Sequence, residues 1–186
     1  MRHPLEFVPT PYRFRFFLTF LFLTLILFAI FRVLDEPLRT DAAPNGIVSF
    51  ELARTPEKAF QIMVSWVPNS VEQPNIDRIK AYLYAAFGLG IDYLFMPTYA
   101  LALAFGTLLI TQKHRGWLQF LGMLAGYGAL IAPLFDAGEN FALLRVLLGM
   151  YQSSFPAIAA YCAIAKFALL IFGLAVCLIG WFLPKQ

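Results

Sequence analysis

Four long apolar runs restrict the fold of this chain more than any other feature. Residues 16–31 read FFLTFLFLTLILFAIF without a charge, and further apolar stretches cover about residues 82–110, 117–135 and 157–183. A helix crosses ~30 Å of hydrocarbon with ~20 residues. Inside hydrocarbon, backbone N–H and C=O groups must pair within the segment, and a helix meets that demand alone. The expected fold is therefore an all-α membrane protein, with four transmembrane helices in a bundle and a short extracytoplasmic cap between spans one and two. Composition points the same way. Of 186 residues, 60% are hydrophobic and 13% charged, with a mean hydropathy of +0.71, whereas soluble domains are nearer half apolar and a quarter charged.

The runs divide the chain into a cytoplasmic N-terminal segment (1–15), a transmembrane signal anchor (16–34), an extracytoplasmic cap (35–80) and a three-span helical bundle (81–186). Arg2, Arg13 and Arg15 precede the first run, as in a secretory signal. No small-x-small cleavage site follows it; Phe31, Arg32 and Val33 come next, so an uncleaved anchor is expected. The cap mixes seven acidic with five basic residues and is broken by Pro37, Pro44, Pro56, Pro68 and Pro74. Within it, Thr55-Pro56-Glu57 is a helix start, combining an N-cap, a proline at the first position and an acid. The helix that follows, AFQIMVSWV, is expected against the membrane surface or the tops of the spans. A second helix start falls at Asn75. Basic turn residues 112–115 and the stretch MYQSSFP (150–156) separate the later spans, and Pro97 and Pro133 are expected to kink spans two and three.

Basic residues near short loops face the cytoplasm. Arg2, Arg13, Arg15, Lys113, Arg115 and Lys185 then lie on one side, so both termini are expected in the cytoplasm of a cell whose inner membrane holds the chain. Counting from these anchors sets a depth for each charge. Asp92 is 21 residues from Lys113, Asp136 is 21 from Arg115 and Lys166 is 19 from Lys185. At ~1.5 Å per residue all three lie ~28 to 32 Å above the cytoplasmic edge; Arg32 is slightly deeper. At 100° per residue, Gly122, Ala125, Gly126, Ala129, Ala132 and Asn140 share the face of Asp136. Small residues let membrane helices approach, so Gly122, Gly126, Ala129 and Ala132 are the expected packing positions. Asp92, Asp136, Glu139, Asn140 and Lys166 are expected to form one polar cluster inside the bundle near its outer mouth. Arg145 lies about 180° from Asp136 and is left out of it.

Several chemistries are poorly served. The two histidines, His3 and His114, both fall on the cytoplasmic side, so no metal or cofactor is expected between the spans. Cys162 and Cys177 would be ~22 Å apart along one helix and cannot pair. There is no phosphate-binding loop, no CxxC and no material for a Ser/His/Asp site. The net charge of +3 is spread between spans rather than gathered on one face, which argues against nucleic acid.

Three stretches, GIVSFELARTPEKAFQIMVSW (46–66), GLGIDYLFMPTYALAL (88–103) and LFDAGENFALL (134–144), resemble a family of small, uncharacterised bacterial four-span membrane proteins. The resemblance implies a bacterial inner-membrane location and a four-helix fold; it brings no activity. Two functions remain open. One is an accessory or structural subunit of a larger membrane complex, whose partners are the lipid bilayer and a second membrane protein or another copy of the chain. The other is a protein that binds, transports or modifies a small polar or lipid-headgroup ligand. In that case Asp92, Asp136 and Glu139 supply the acids and Lys166 the counter-charge.

Overall fold

The structure is a computed structural model that describes residues 2–67 and 76–184, with residues 76–79 described as backbone alone. The helix start expected at Asn75, the prolines Pro68 and Pro74, and the anchor Lys185 lie outside the described residues. Among the described residues the chain is all-helical: α1 (Thr10–Asp35), α2 (Ile47–Glu51), α3 (Pro56–Ser65), α4 (Ile76–Lys113), α5 (Trp117–Arg145) and α6 (Phe155–Phe182). Four of these, α1, α4, α5 and α6, are long and apolar enough to cross a membrane. α1 opens at Thr10, earlier than the apolar run, because Pro11 sits in its first turn, where a proline costs no hydrogen bond. α4 and α5 continue as helix through Pro97 and Pro133. The helical path is interrupted later, within the π-helical turn Val146–Met150, at Gly149 with φ +96°.

One compact unit comprises Met1–Leu27, Phe95–Phe135 and Ala165–Gln186. Glycines create its closest helix contacts. A Cβ at Gly122 would stand 2.7 Å from Thr111 Cγ2, one at Gly173 2.6 Å from Leu103 Cδ2, and one at Gly106 3.1 Å from Cys177 Sγ. Small residues thus seat α4 against both α5 and α6, as they do where helix backbones approach closely. Leu5, Leu103, Ala104, Phe105, Leu108 and Ala129 form the core. The rings of Phe16 and Phe20 lie 5.5 and 6.1 Å from that of Phe105, fastening α1 to α4.

The residues before α1 turn back on themselves. Glu6 N–H donates to the His3 carbonyl and Val8 N–H to that of Leu5. Arg13, in the first turns of α1, holds the bend by donating to the carbonyls of Val8 (2.6 Å) and Glu6 (2.7 Å). This hook carries His3 into the interior of the unit.

The other unit comprises Phe28–Leu94 and Asp136–Ile164. Its core joins Leu38, Phe50, Ile62, Met63 and Trp66, from the stretch between α1 and α4, to Ala85 and Leu89 of α4 and Ala142 and Leu143 of α5. Trp66 is fixed at both ends: its ring lies 5.1 Å from Phe50, and its Nε1–H donates to the Leu38 carbonyl at 2.9 Å. Thr55 caps α3 by accepting from Lys58 N–H, with Pro56 next and Glu57 in the first turn. α3 buries Ala59, Ile62 and Met63 in this core and leaves Phe60 and Val64 exposed. Asp35, the last residue of α1, accepts from Ile47 N–H at 2.7 Å and so caps α2 from a distance. Gly46 (φ +58°) makes that approach possible, since a Cβ there would collide with the Asp35 carboxylate.

Candidate functional site: a buried polar seam

α5 builds the seam because one of its faces changes character along its length. Ala125, Ala129 and Ala132 are fully buried, and the same face continues as Asp136, Glu139 and Asn140, which are 1%, 0% and 2% exposed. The first part lets another backbone come close. The second brings hydrogen-bonding groups into an interior where each needs a partner.

Asn140 supplies a pairing across helices. Its Nδ2 donates to Asp92 Oδ2 at 2.8 Å and to the Leu89 carbonyl at 3.3 Å, both on α4. An amide hydrogen on a carboxylate is a charge-assisted bond. The second donation engages a backbone oxygen on the turn just before it. Tyr93 adds a longer contact, its hydroxyl donating to the Ala137 carbonyl at 3.5 Å. Nearby, Gly138 lets Cys162 of α6 approach, its Sγ 3.4 Å from where a Cβ would stand.

The structure thus brings Asp92 and Asn140 into direct contact and puts Asp136 and Glu139 on the same buried face of α5. Lys166 is buried too, with its Nζ 4.8 Å from the centre of the Phe167 ring. It belongs to the first unit, the other four residues to the second. None of Asp92, Asp136, Glu139 and Lys166 stands without an interaction partner. Of the expected packing positions, Gly122 meets Thr111, Gly126 meets His3, and Ala129 and Ala132 are fully buried.

Both histidines are buried against the long helices, a placement that their position in the sequence does not indicate. His3 is buried in a notch that exists because residue 126 is glycine: a Cβ there would collide with His3 Nε2. Leu5 N–H donates to His3 Nδ1 at 3.2 Å, so the ring proton sits on Nε2. That nitrogen is 3.1 Å from Thr107 Oγ1, whose own hydroxyl donates to the Ala104 carbonyl. Burial, and then the positive charge of Arg13, push His3 down to about 4. His114 is buried at the end of α4, where its Nε2–H donates to the Gly180 carbonyl at 2.8 Å. Sequence patterns could not show either placement, because the hook that carries His3 has no periodicity to read.

Arg145, which the spacing leaves out of the expected cluster, is half-buried. Its guanidinium lies 5.5 Å from the centre of the Phe141 ring, one turn earlier on α5. Among the described residues, no group of three or more His, Cys, Asp or Glu side chains is arranged to hold a metal ion. No protein-family model matches the chain, and neither a curated protein nor a solved structure shows significant similarity to it.

Proposed function

We propose that this is a multi-pass protein of a bacterial inner membrane, with both termini in the cytoplasm. In this reading it acts by association, as an accessory or structural subunit of a larger membrane assembly. The observation that carries the reading is the pairing of Asn140 with Asp92 and with the Leu89 carbonyl across helices. Asn140 spends its amide hydrogens on Asp92 and Leu89, and the acids beside it are buried and engaged. Groups that fix one another across helices specify register, and in hydrocarbon they do so because any other register would leave them unpaired. The fold then presents a fixed apolar exterior. α1 contributes most to it: 6% of its most apolar stretch is buried, against 72% for α4.

Purification in mild detergent tests the association. The protein is expected to migrate with a partner of defined stoichiometry or as a homo-oligomer. A monodisperse monomer with no companion protein would overturn the reading.

A second reading takes the two acids as its ground. Asp136 and Glu139, three residues apart and almost wholly buried, are an expensive arrangement in a membrane, where ionisable groups commonly mark a site for a polar ligand or a proton. Asp136→Asn separates the two. As part of a register pin, Asp136 makes the variant less stable by about 1–3 kcal/mol, read as a lower unfolding temperature. As part of a ligand site, it makes the variant as stable as the parent but unable to complement a deletion strain.

A further inference from the structure

We infer that the turn joining α4 to α5, together with the end of α6, is a binding surface for an anionic phospholipid headgroup. The inference shares with the proposed function only the premise that the long helices lie in a membrane, and it holds whichever leaflet this end meets. The unit that contains the turn carries charge almost entirely of one sign. Among its described residues, Arg2, Arg13, Arg15, Lys113, Arg115 and Lys166 are set against a single acid, Glu6. Arg13 turns onto the carbonyls of Val8 and Glu6. Lys113 and Arg115 stand at the turn itself, and among the described residues neither is ion-paired with a carboxylate. Their field therefore extends unneutralised by those residues into the headgroup layer beside the turn.

A buried side chain holds this corner in shape. His114 donates from Nε2 to the Gly180 carbonyl at 2.8 Å and so ties the end of α4 to the end of α6. Beside that tie, Lys113 Nζ lies 4.3 Å from the centre of the Trp181 ring. The ring takes one side of the ammonium and leaves its other N–H bonds for an outside acceptor. Gly116, at φ +67°, turns the chain into α5 and leaves Arg115 and Trp117 exposed on either side of it. Trp117 and Trp181 are each 58% exposed, and Phe182 is 81% exposed. Indole rings at the ends of apolar helices sit at headgroup depth, between hydrocarbon and phosphate. A lipid phosphate at this corner meets two cations, and its acyl chains lie against the rings. An acidic segment of a soluble protein is the competing occupant. It would neutralise the cations but leave three large rings in water, so the aromatic surround favours the lipid.

The test offers the detergent-purified full chain equal amounts of phosphatidylglycerol and phosphatidylcholine with the same acyl chains, and counts each retained lipid by native mass spectrometry. The parent should retain phosphatidylglycerol in preference. Lys113→Gln and Arg115→Gln should each reduce that preference about fivefold, the loss expected for one cation at a headgroup surface. Trp181→Leu removes the ring beside the ammonium and should reduce it about two- to fivefold. Because Trp181→Leu leaves every charge in place, it decides alone if a charge variant fails to insert. Lys58→Gln, on the exposed face of α3, should change nothing. Equal retention of the two lipids by the parent overturns the inference, and so does a preference that survives all three substitutions. Displacement of phosphatidylglycerol by inorganic phosphate overturns it too, since the site would then take a bare anion. Loss of an acidic companion protein from Lys113→Gln, with the lipid preference unchanged, would assign the corner to that protein instead. A parent that purifies as a lone monomer, the result that would overturn the proposed function, leaves this test intact.

Discussion

His3 shows how a single side chain can tie a terminus to an interior. The imidazole accepts from its own turn, donates to Thr107 and fills the space that Gly126 leaves. Gly126→Ala puts a methyl group where the ring sits. The hook should leave its notch, at a cost of about 1–3 kcal/mol in stability, seen as faster amide exchange over residues 2–8. Acid should act in the same direction. Since His3 is held down to about 4 from an ordinary value of 6.5, the free hook binds a proton between those values and the seated hook does not. Seating is therefore at full strength above about pH 6.5 and weakens as pH falls toward 4. Protection factors over residues 2–8, corrected for the intrinsic slowing of exchange in acid, that rise over that descent would refute the assignment. The α5 face was legible in the sequence because Gly122, Gly126, Ala129, Ala132, Asp136 and Asn140 recur at helical spacing, and a straight helix turns spacing into direction. His3 was not legible, because nothing in MRHPLEFVP repeats. Its partners lie on distant helices, and a basic N-terminus reads first as a topology signal.

At the level of elements, boundaries followed local chemistry where the signals were strong. Thr55-Pro56-Glu57 starts α3 as expected from its cap, its proline and its acid. Thr55→Ala removes the acceptor for Lys58 N–H and should cost about 1 kcal/mol, measured as a lower denaturation midpoint of the parent fold. A variant as stable as the parent would mean that packing of Ile62 and Met63 holds the helix without its cap. The prolines in α4 and α5 were less informative. Pro97 and Pro133 suggested kinks, and both helices continue as helix through them, as a kinked helix also does. A proline removes one rung of the ladder, and the remaining rungs and neighbouring helices can hold the path. The remote capping of α2 by Asp35 left no local signal either, because donor and acceptor are twelve residues apart.

For the whole molecule, hydropathy carried most of the information. Four apolar runs became four long helices because a chain with this composition has few other ways to satisfy its backbone. Orientation is the property that labelling can check most directly. In a background with Cys162 and Cys177 replaced by alanine, Glu57→Cys should react with an impermeant maleimide on intact cells, and Gln112→Cys only after lysis. Both positions are exposed. The reverse pattern would invert the topology.

The seating of His3 also sets an order of events during synthesis. Its hydrogen-bond partner Thr107 lies 104 residues further along the chain, and the glycine that makes room for the ring comes later still. At ~5–20 residues per second, the ribosome delivers Thr107 roughly 5–20 s after His3. The N-terminal hook must wait throughout that interval, with α1 already made and its seat not yet built. The latch can therefore close only after α5 has joined α4, so its closure would report the arrival of α5.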